Sequence, residues 1–80
     1  MLSIYTIYKS PLDYPGMYVV RRFEYQNPTG DVYANSSVDI VRQWMHEHHE
    51  QLCRQKGYYV ELARFARHPS DDQCIVESWV

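Results

Sequence analysis

"NSSVDIVRQWMHEHHEQLCRQKG", residues 35 to 57, is the stretch that decides the fold. Val38, Val41, Met45 and Leu52 recur at spacings of three, four and seven, as one buried stripe of an α-helix requires. His48 falls near that stripe, Trp44 at its edge and Ile40 away from it. The limits are marked too. Ser36 or Ser37 can accept hydrogen bonds from the free amides of the first turn, and Asp39 suits the positive end of the helix dipole. Gly57, after Arg54 and Lys56, supplies the stop, because glycine adopts the left-handed conformation without steric cost.

On both sides of this segment the apolar period changes to two. Toward the N-terminus, "LSIYTIY" (2–8) reads as a strand and "KSPLDYPG" (9–16) as a loop. Met17 to Gln26 is a second strand, "NPTG" (27–30) a turn, and "DVYA" (31–34) a short third strand. Toward the C-terminus, "YYVELARF" (58–65) alternates as a fourth strand and "ARHPSDD" (66–72) is a turn or loop. "QCIVESWV" (73–80) is a fifth strand whose bulky ending predicts a packed end. The order β-β-β-α-β-β predicts a single α+β domain over residues 1–80, one antiparallel sheet with one long helix across one face.

Eighty residues bury only roughly 60% of the unfolded surface, so the core is small and a partner or a second copy would help it. With 45% hydrophobic and 22% charged residues, the composition excludes a disordered chain. Eight tyrosines against two phenylalanines favour half-wet surfaces. A net charge of -2 provides neither a cationic clamp for nucleic acid nor a dense acidic field. No apolar run approaches the roughly 20 residues that cross a bilayer, so a soluble cytoplasmic protein with no membrane partner is expected. Cys53 and Cys74 are then expected as reduced thiols.

"YPGMYVVRRFEY" (14–25) places two arginines side by side on a strand, where successive side chains face opposite ways. Arg21 shares parity with Met17, Val19 and Phe23, which predicts the helix-covered face and a structural ion pair with Glu77 of "IVESWV", provided strands two and five are neighbours. Arg22 then points the other way, beside Tyr18 and Val20.

"YTIYKSPLDYPGMYVVRRF" and "RHPSDDQCIVESWV" together resemble a group of small proteins of bacteriophages and prophages. That group carries a D-Y-P-G-like turn, a V-V-R-R-aromatic strand and a D-D-x-x-I-V-E-x-W ending. The resemblance covers the two ends of the chain, while the helix with "WMHEHHEQLC" departs from the group's shorter acidic helix. It implies a phage origin and a bacterial cytoplasm, and transfers no active-site residue.

Three chemistries compete with plain structural roles for these residues. His46, His49 and Cys53, spaced by three and four, could offer zinc or copper one face of the helix, with His68, Cys74 or a carboxylate completing the shell. No C-x-x-C or H-E-x-x-H accompanies them, and surface histidines are the simpler account, so no cofactor is expected. A Cys53 nucleophile beside a histidine lacks an oriented base and an oxyanion site, and an enzyme is not expected. Asp71, Asp72 and Glu77 fit a turn and a strand better than carboxylate chemistry. A nucleic-acid-binding phage regulator would use Arg21 or Arg22 with Tyr18 and Tyr25, but Glu24, Glu61 and Glu77 share the strands and disfavour phosphate.

Protein binding remains. Strands two and five carry apolar residues on both parities, and one helix covers only one face. A host protein or a second copy on the open face would supply the other cover. Tyr18, Val20, Arg22 and Trp79 are the expected contributors, residue types that anchor interfaces. Phages use small proteins of this size to block host defences, CRISPR effectors included, which is what the resemblance implies for function.

Overall fold

A computed structural model describes residues 3–66 and 74–80. The elements follow the expected order: β1 (Ser3–Lys9), β2 (Tyr18–Glu24), β3 (Asn27–Asn35), α1 (Val38–Lys56), β4 (Arg64–Ala66) and β5 (Ile75–Trp79). They form one antiparallel five-stranded sheet in the order β3-β2-β1-β5-β4, with α1 packed against it. The fold is α+β, as the change of period predicted. The expected loop at 66–72, with His68, Asp71 and Asp72, falls almost entirely outside the described residues, as do Leu2 and Gln73.

α1 obeys both of its sequence signals. Gly57 closes it at φ +82°, and its N–H and that of Tyr58 bond back to Arg54 O and Cys53 O. The N-cap is Ser37, yet its side chain caps no amide. Instead Asn35 Oδ1 accepts from the Ser37 N–H at 2.9 Å and fixes the chain's entry into the helix. The buried face is Val41, Met45, His49 and Cys53, packed with Tyr5, Ile7, Val20 and Leu62.

Two strand boundaries differ from expectation. "NPTG" is no turn: the β2–β3 hairpin turns at Tyr25–Gln26, with Tyr25 at φ +58°, and Asn27 to Gly30 already belong to β3. Pro28 is tolerated there because β3 is an edge strand. Further along, Thr29, Gly30 and Asp31 bulge opposite the single residue Arg22, between the pairs Phe23↔Pro28 and Arg21↔Val32. Gly30, at φ +87°, supplies the left-handed residue of that bulge.

Residues 58–63 are not a strand; β4 spans three residues only. The backbone upstream is engaged by the end of the helix. Tyr58 N–H donates to Cys53 O, and Val60 O lies 2.5 Å from His49 Nε2. Ala63 exchanges two hydrogen bonds with Val80, so the C-terminal residue is packed as its bulk predicted.

Candidate protein-binding face

Register assigns every strand residue to a face, because directly paired residues share a side of the sheet. Tyr33, Val20, Ile7 and Glu77 form one row across β3, β2, β1 and β5; Arg22, Tyr5, Trp79 and Arg64 form another across β2, β1, β5 and β4. Both rows lie under α1. Tyr5, Ile7, Val20 and Glu77 have no exposed area, Arg22 is 6% exposed, and Tyr18 and Trp79 pack against the core.

The expected assignment of faces is therefore reversed. Tyr18, Val20, Arg22 and Trp79, the residues expected to meet a partner, are the ones the helix covers. Arg22 is tolerated there because the β3 bulge brings in counter-charge. Its guanidinium donates to Ser3 Oγ at 3.0 and 3.2 Å, to Asp31 Oδ2 at 3.2 Å and to Glu24 Oε1 at 3.1 Å. Burial alone would raise the Asp31 pKa. The Thr29 hydroxyl, His48 and Arg22 outweigh it and hold the carboxyl below its ordinary 3.8.

Arg21 and Glu77 are not partners. β2 and β5 flank β1 without touching each other in the ladder, and the two side chains belong to opposite faces. Arg21 pairs with Asp13 of the β1–β2 loop and lies 5.7 Å from the centre of the Tyr8 ring. Glu77 is instead the anchor between helix and sheet. Arg42 of α1 donates to Oε1 through Nε at 3.0 Å and Nη2 at 2.5 Å, Trp79 Nε1 donates to Oε2 at 2.6 Å, and Arg64 Nε lies 3.6 Å away. Burial alone would raise its pKa, but the hydrogen bonds from Arg42 and Trp79 prevail and hold it below 4.5.

The three expected metal ligands separate. His49 and Cys53 are buried with Nε2 and Sγ 3.5 Å apart, whereas His46 is exposed and sets its ring edge-on to Trp79 at 5.0 Å. His49 Nε2 is also committed to Val60 O. Among the described residues no three His, Cys, Asp or Glu side chains are placed to hold a metal ion.

Among the described residues no helix lies on the other face of the sheet. One row crosses all five strands: Val32, Arg21, Thr6, Ser78 and Phe65. Beside it run Ala34, Val19, Tyr8 and Ile75 on one flank, and Pro28, Phe23 and Ile4 on the other. Val32 is 40% exposed and Phe65 54%, Ile4, Tyr8, Phe23 and Ile75 are half-buried, and Val19 and Thr6 at the centre are buried. The β1–β2 loop leans over one end, where Asp13 reaches Arg21 and a groove forms between Tyr8, Pro11, Leu12 and Cys74. Leu12 itself is fully exposed.

Sequence reasoning expected the open face to carry Tyr18, Val20, Arg22 and Trp79 and missed Ile4, Tyr8, Val32, Phe65 and Ile75, which the register places there. The alternation of β1 carried the signal, since Ile4, Thr6 and Tyr8 oppose Tyr5 and Ile7. No helix among the described residues is long and apolar enough to cross a membrane. Comparison with protein-family models, characterised proteins and solved structures finds no match to this chain.

Proposed function

We propose that the protein acts by binding another protein through the uncovered face of its sheet, without catalysis of its own. It is a phage-encoded accessory protein that works in the bacterial cytoplasm, occupying a surface of a host protein, a CRISPR-type defence effector included, or of its own twin. The observation that carries this reading is the uncovered face itself. Twelve paired positions across five strands include a single charged side chain, Arg21, already matched by Asp13. Contiguous apolar faces of this kind mark interaction sites on small proteins. The resemblance of the two chain ends to small phage proteins supports the biological setting.

The test is an infection assay. Bacteria with active CRISPR immunity are challenged by a targeted phage while expressing either the wild-type chain or the Val32→Glu/Phe65→Glu double variant. Wild type is expected to restore plaque formation and the variant to lose that effect at equal protein levels. Equal behaviour of the two would refute a role for this face.

A further inference from the structure

We draw no further inference here: the strongest candidate, the cavity of about 80 Å³ beneath the C-terminal end of α1 between His49, Cys53, Val60 and Leu62, carries nothing, because His49 Nε2 is committed to Val60 O and nothing in the structure shows what would fill the cavity.

Discussion

Arg21 and Arg22 are neighbours in the chain and lie on opposite sides of the sheet. Arg22 is enclosed beneath α1 by Ser3, Asp31 and Glu24, whereas Arg21 stands on the uncovered face with Asp13. Removing each side chain should therefore have unequal consequences. Arg22→Ala leaves two carboxylates facing a vacated site and is expected to cost about 2–3 kcal/mol of stability, as loss of one partner from a buried charge cluster does. Arg21→Ala breaks only a half-exposed pair and is expected to cost less than about 1 kcal/mol. Urea denaturation of the two variants checks the order.

Glu77 predicts a dependence on acid. Its pKa is held below the ordinary 4.5 in the folded chain, so the stability it contributes is fully present above pH 4.5 and is lost as pH falls through the lower folded value. Glu77→Gln should be less stable than wild type at pH 7 and should lose less stability between pH 5 and pH 3 (both roughly chosen to bracket that titration). Parallel pH slopes for the two proteins would refute the anchor role.

Tyr5 makes the opposite prediction at alkaline pH. Its hydroxyl is buried with no hydrogen-bond partner of good geometry among the described residues, and desolvation pushes its pKa to about 12, partly offset by the charge and hydrogen-bonding pull of the nearby Arg22. Stability from the neutral phenol is complete below pH 10 and declines as pH rises from 10 toward 12. Tyr5→Phe removes that decline. Because no hydrogen bond is lost, it is expected to be neutral or stabilising by up to about 1 kcal/mol at pH 7.

Gly57 ends α1 at φ +82° with open space around a would-be Cβ, so the cost of Gly57→Ala is conformational strain alone. It is expected at about 1 kcal/mol, read as a lower thermal midpoint with unchanged helicity. A loss of helical signal would mean that the cap does more than stop the helix.

The fold was legible because period and punctuation agreed: the 3.6-residue stripe of Val41 and Met45, the glycine stop at Gly57 and period-two segments on both sides. The choice of face was not. Parity groups Arg21 with Val19 and Phe23, which looks like the more apolar side of β2, and groups Arg22 with Tyr18 and Val20. What reverses the choice is the Thr29 to Asp31 bulge, which carries a carboxylate to Arg22 from a segment that reads as a turn. Glu77 was recognised as a buried partner, but its cation, Arg42, comes from the helix 35 residues earlier, a separation that no local pattern reports.

The central claim is that the face opposite α1 is the working surface. Methyl-labelled protein with a soluble nitroxide measures it directly, because each methyl signal is bleached in proportion to solvent access. In the Phe65→Glu variant, the methyl groups of Ile4, Val32 and Ile75 are expected to bleach, while those of Ile7, Val20 and Val41 stay protected. Bleaching of Val20 ahead of Val32 would contradict the account.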